Sequence, residues 1–188
     1  MKWLIASDLH GSAYWTDRLM DFWDRSGADR ALLLGDLLYH GPRNDLPRDY
    51  APKRVIERLN ERKDRLYAVR GNCEAEVDQM VLHFPVLADS LLMPVGDRLM
   101  FVTHGHLFNE NLLPPHSRGD LLLHGHTHVP VCRDLGEMVY LNPGSVSIPK
   151  ENSAHACMLL QGTLFTWYDL ETGLPFRSWD AAQSSPAD

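Results

Sequence analysis

The sequence predicts an α/β fold of two stacked sheets with helices outside, and two observations carry the prediction. Up to about residue 70, apolar strand-like runs alternate with helical periodicity, whereas beyond residue 86 short strands recur with tight turns between them. The first pattern calls for parallel strands joined by helical crossovers, and the second for a largely antiparallel sheet. Residues 2–7 read as a strand apolar on both faces, as in the centre of a layered sheet. Leu19, Met20, Phe22 and Trp23 mark a helix over 14–26 that Gly27 closes. A second strand covers 30–35, and a polar, proline-containing connection runs from His40 to Pro52. A connection of that length in a compact domain suits a substrate-covering loop. Val55, Ile56 and Leu59 place a helix over 53–64, and Leu66–Val69 form a third strand. The run from Ala88 to His104 reads as a hairpin turning at Val95–Asp97, followed by strands near 120–124, 130–134, 138–142, 155–160 and 163–169. A single domain over 1–180 with a frayed tail over 181–188 accounts for the chain.

Composition narrows the function. Hydrophobic residues at 44% and charged residues at 23% suffice for an ordinary core. The net charge of −7, from 18 basic and 25 acidic residues, with no Lys/Arg-rich run, disfavours a face for long nucleic acids. An acidic protein that takes an anionic substrate needs a local positive centre, which bound metal ions supply. Cys73, Cys132 and Cys157 are an odd set without metal-binding spacing, which suits a reducing compartment. The four apolar residues after Lys2 are too few for a signal peptide, and no run is long enough to span a membrane, so the expected location is cytoplasmic.

Five short blocks carry the chemistry: DLH at 8–10, GDL at 35–37, GNC at 71–73, HGH at 104–106 and GHTH at 125–128. Each follows an apolar strand-like run, so each delivers a polar side chain to a sheet edge, with a glycine that permits a tight turn. Seven side chains are the candidate ligands of two divalent ions: Asp8, His10, Asp36, Asn72, His104, His126 and His128. Asp8 with His10, and His126 with His128, share the i, i+2 spacing that in extended backbone aims both side chains at one face. Asp36 ends an all-apolar strand, where a carboxylate is costly unless it is paired or metal-bound, and it suits a bridging role. The Asn72 amide oxygen adds a neutral ligand for a hard cation. His124 reads as a supporting residue deeper in the strand, and Asn142–Ser145 as a turn beneath the site. No nucleophile elbow, P-loop or dinucleotide fingerprint competes with this assignment.

In these blocks and their order the chain resembles the calcineurin-like metallophosphoesterases. The GNC block, the run from Arg70 to Met80 and the segment Leu141–Lys150 are similar to the small bacterial YfcE-type phosphodiesterases. The resemblance implies a four-layer α/β/β/α sandwich with mixed and antiparallel sheets. It assigns one ion to Asp8, His10, Asp36 and His128 and the other to Asp36, Asn72, His104 and His126, with Mn²⁺ foremost and Fe or Zn²⁺ as substitutes. It also implies hydrolysis of small phosphodiesters by a hydroxide held between the ions, and a possible homo-oligomer. Many relatives carry histidine after the asparagine, where this chain has Cys73. Cys73 is therefore either the leaving-group acid or a small filler, and His106 is the other candidate for proton transfer. His40, Arg43 and Asn44 are the expected substrate contacts. A protein-interaction scaffold on the same fold, like the retromer subunit, is the alternative function.

Overall fold

The computed structural model describes residues 1–183. The strands are β1 Lys2–Ala6, β2 Arg30–Leu33, β3 Leu66–Ala68, β4 Ser90–Val95, β5 Arg98–Thr103, β6 Asp120–Leu123, β7 Pro130–Asp134, β8 Met138–Pro143, β9 Ala156–Gln161, β10 Leu164–Asp169 and β11 Pro175–Asp180. The helices are α1 Ala13–Ser26, α2 Pro52–Asn60 and the short α3 Glu76–Val81.

As expected, β1, β2 and β3 pair in parallel, with Ile5 opposite Leu32 and Leu32 opposite Tyr67. Ser12 caps α1, its hydroxyl accepting from Trp15 N at 3.3 Å, and Gly27 ends the helix in the left-handed region at φ 66°. The full first sheet is ordered β11-β10-β9-β1-β2-β3 and the second β4-β5-β6-β8-β7.

This order corrects the expected division of strands. The 155–169 hairpin joins the first sheet, because β9 pairs antiparallel with β1. The reason lies in β9 itself: Cys157 and Leu159 pack toward the helices, whereas Met158 and Leu160 face the second sheet. A strand buried on both faces belongs in a sheet centre, and its sequence does not say which sheet. The second sheet is mixed rather than largely antiparallel, since β5–β6 and β6–β8 are parallel. Sequence reading missed β11, an edge strand whose first four residues are exposed and show no alternation, and also α3, which buries none of its residues.

Two cores result. Leu4, Ala6, Leu33, Leu159, Leu19 and Trp23 fill the space between the first sheet and its helices. Ile5, Leu32, Met100, Leu121, Leu141 and Trp167 fill the space between the sheets. The outer face of the second sheet packs Leu122, Met138 and Tyr140 against Leu113 and Leu135 in irregular chain, with no α-helix there among the described residues. Ala181, expected to open the tail, is buried in the inter-sheet core and donates its amide to Thr163 O at 2.9 Å. Residues 184–188 lie outside the described residues. No described helix is long and apolar enough to cross a membrane.

Candidate metal centre

The loops after β1 and β2 run side by side beyond the strand ends. Asp8 N, His10 N and Gly11 N donate to Gly35 O, Asp36 O and Leu37 O at 3.1, 2.9 and 2.9 Å. Within this zipper the backbone leaves the extended region: Asp8, His10 and Asp36 have φ of 59°, 45° and 55°. His126 and His128 do the same after β6, at 65° and 63°. The i, i+2 argument from extended backbone is thus corrected, because these pairs converge through left-handed turns. Such conformations are costly for non-glycine residues and persist where the surrounding structure enforces them, commonly at functional sites. Two glycines allow the loops to approach this closely. A Cβ on Gly125 would collide with Ser7 Oγ and lie 2.8 Å from Asp8 Oδ2, and one on Gly71 would overlap Asp36 Oδ1.

Three imidazoles are aimed by the same device. Nδ1 of His10, His104 and His128 lies 2.7, 2.6 and 2.8 Å from the carbonyl oxygens of Tyr39, Leu34 and Ile148. A carbonyl only accepts, so Nδ1 carries the proton and each Nε2 turns a lone pair inward, the usual arrangement of metal-binding histidine. His10 Nε2 and His128 Nε2 then stand 3.4 Å apart, and His104 Nε2 stands 3.1 Å from Asn72 Oδ1 and 3.2 Å from His126 Nδ1. Once deprotonated, these converging lone pairs suit a bound cation. Asp8 Oδ1, buried and without a hydrogen-bond donor, lies 3.2 Å from His128 Nε2 and 3.6 Å from His10 Nε2. Asp36 stands between the groups, with Oδ2 3.7 Å from His10 Nε2 and Oδ1 3.6 Å from His104 Nε2. The donor set fits two divalent cations sharing Asp36.

Electrostatics follow the packing. Burial alone would raise the Asp8 carboxyl, but the His10 and His128 imidazoles beside it hold it well below the usual carboxylate range. Burial lowers His10, and Asp8, Tyr39 O and Asp36 outweigh it to leave its pKa raised. Burial, with His104 alongside, lowers His126 to about 4. Burial and the Asp36 charge push the Cys73 thiol up, so it keeps its proton at neutral pH.

Sequence reasoning missed Glu74. This buried carboxylate accepts from Gly71 N, Leu37 N and Asp36 N at 2.6, 2.7 and 2.9 Å, clamping the β2 and β3 loops together. The only signal was an acidic residue directly after GNC, the first of three in the run from Glu74 to Asp78. Beneath the site, the Asn142 amide donates to Gly125 O at 2.8 Å, and the Ser145 and Ser147 hydroxyls to Asp8 O at 3.0 and 2.9 Å. His124 faces away from the donor set, its Nε2 3.2 Å from Glu110 and its ring stacked on Tyr140.

A cavity of about 490 Å³ opens over Asp36, Asn72, His126 and His128. Cys73, Arg43 and Asn44 line it, as do Thr127 and Lys150, which sequence reasoning did not single out. His40 and His106 do not line it: His40 packs edge-on to Tyr39 and Tyr50, and His106 lies beside His104 with ring centroids 5.5 Å apart.

Two stacked mixed sheets with paired ligand clusters at their strand ends define a metallophosphoesterase, and the chain belongs to the calcineurin-like phosphoesterase superfamily, whose domain matches residues 1–163. It is 51% identical over 150 residues to phosphodiesterase YfcE of Escherichia coli (strain K12), covering 80% of this chain and 82% of that protein. The solved structure of that E. coli phosphoesterase matches with a TM-score of 0.92 at 44% identity, over 96% of this chain and 100% of that one. A Vps29 variant from Entamoeba histolytica matches with a TM-score of 0.60 at 20% identity, over 96% and 99% of the chains, and so shares the fold alone. The scaffold alternative has correspondingly less support.

Proposed function

We propose that this chain is a phosphodiesterase acting on small phosphodiesters with two divalent cations, Mn²⁺ foremost. One observation carries the reading: Asp36 presents one carboxylate oxygen to each of two lone-pair clusters. Asp8, His10, His128 and Asp36 would hold one cation, and Asn72, His104, His126 and Asp36 the other; Fe and Zn²⁺ suit the same donors. When bound, the ions supply a nucleophile active at neutral pH and neutralise charge on the phosphoryl oxygens. The chain's own residues do the rest. Glu74 and the carbonyls behind the imidazoles hold the donors in place. Cys73 keeps a proton at the cavity wall, with its amide on Asp36 Oδ1 at 2.9 Å, and is the candidate to donate toward a leaving oxygen. His106, beside His104 and outside the cavity lining, is the second candidate. Arg43 and Asn44 are the proposed substrate contacts, with His40 shaping the loop that carries them: Asn44 Nδ2 donates to His40 O at 2.8 Å.

Metal-stripped protein reloaded with Mn²⁺ is assayed on bis(p-nitrophenyl) phosphate and p-nitrophenyl phosphate. Metal-dependent turnover favouring the diester is expected, and its absence on both esters would remove the proposal. The reading extends to a cytoplasmic location, in keeping with three free thiols, and to a homo-oligomer that does not degrade long nucleic acids. Light scattering and a duplex-DNA assay test the last two.

A further inference from the structure

Arg43 and Lys150 reach the cavity from different loops, the first from the β2–α2 connection and the second from the β8–β9 connection. Both loops are pinned locally. Asn44 N donates to Gly41 O at 3.3 Å, Lys150 N to His128 O at 3.2 Å, and Ser153 Oγ to Lys150 O at 2.7 Å. Yet among the described residues neither cationic side chain makes an ion pair, a hydrogen bond or a ring contact. Exposed arginines on the helical side do otherwise: Arg54 pairs with Asp17 and Asp49, and Arg58 with Asp17 and Glu61. In a chain of net charge −7, two unpaired cations lining one cavity form a local positive patch.

A charge count says what they are for. Two divalent ions balance the Asp8 and Asp36 carboxylates, a hydroxide nucleophile and a monoanionic diester, and the buried Glu74 carboxylate calls for at most one further cation, so the metal centre does not account for Arg43 and Lys150 together. We infer that Arg43 and Lys150 form a second anion subsite, and that the substrates are phosphodiesters bearing a further phosphate or comparable anionic group. The inference rests on the phosphodiesterase reading and supplies its substrate class. Arg43 offers a planar fork of donors suited to phosphate oxygens, and Lys150 a compact charge from the β8–β9 loop.

The test measures binding apart from turnover. Full-length chain loaded with Mn²⁺ is titrated calorimetrically with thymidine 3′,5′-bisphosphate and with thymidine 5′-monophosphate. The bisphosphate is expected to bind about tenfold tighter, and in the Arg43→Ala/Lys150→Ala variant the advantage is expected to fall below about twofold. Equal affinities in the unaltered protein, or a preference that survives the double substitution, would overturn the inference. Turnover of thymidine 5′-(p-nitrophenyl phosphate) reads the phosphodiesterase assignment separately. A bisphosphate preference without any turnover removes that assignment and leaves the subsite in place.

Discussion

The two ligand clusters differ in how completely the fold encloses them. Asp8, His10 and His128 are 0%, 1% and 3% exposed, and both imidazoles are locked by backbone carbonyls. In the other cluster only His104 is locked in this way; His126 is half-buried and Asn72 is exposed at the cavity wall. The closed cluster is organised by the fold itself, whereas the open one has freedom to adjust to metal and substrate. The closed side therefore reads as the anchor and the open side as the one where substrate arrives.

Breaking the residue shared by both clusters is expected to have the largest effect. Asp36→Asn should cut kcat/KM by about a thousandfold or more and leave at most one metal per chain by elemental analysis, with circular dichroism unchanged. An unaltered metal count would mean that Asp36 does not bridge.

Glu74→Gln tests whether the clamp between the loops matters to both clusters. Replacing a carboxylate that accepts three amides with a group that has one acceptor oxygen should cost about 1–3 kcal/mol in urea unfolding. Mn²⁺ affinity should fall by about ten- to a hundredfold.

Protonation separates the clusters without mutation. In metal-free protein, His10 should hold its proton above the ordinary 6.5, and His126 should stay neutral down to about 4, as followed by NMR of the imidazole ring protons. The signs oppose each other. His10, raised on folding, contributes stability that is present below 6.5 and lost as pH rises through its folded pKa. His126, lowered on folding, costs stability as pH falls from 6.5 toward about 4, where the unfolded chain binds a proton that the fold refuses. Metal binding to the closed cluster should accordingly release a proton at pH 6.5, measured by calorimetry in buffers of differing ionisation enthalpy.

The smallest effects concern proton transfer to the leaving group. Cys73→Ser should slow hydrolysis of alkyl diesters by up to about tenfold while leaving nitrophenyl esters nearly unaffected, since a good leaving group needs no acid. His106→Ala should change both by about threefold or less, given its place outside the cavity lining. A larger loss for His106→Ala would reverse their roles.

The convergence of the seven candidate ligands was legible because metal chemistry restricts both the residue types and the strand-end positions that such ligands occupy. Glu74 was not, because its partners are backbone amides of Asp36 and Leu37, far along the chain and without a side-chain signature. Lys150 escaped for a related reason: nothing in its neighbours announces a cavity, and only the return of the β8–β9 loop to His128 O puts it there. His40 was selected for its position in the right loop, but its ring packs against Tyr39 and Tyr50.

By itself the sequence determined the parallel β1–β2–β3 unit, the hairpins and the candidate metal-binding blocks, since each depends on local periodicity or short-range chemistry. Tertiary structure alone decided that β9 and β10 extend the first sheet, that β6 and β8 pair in parallel around the β7 edge hairpin, and that the ligands converge through left-handed turns. Strand pairing is a long-range choice among apolar runs that look alike locally. The turns are held by amide-to-carbonyl bonds between the β1 and β2 loops, which no spacing within either loop encodes.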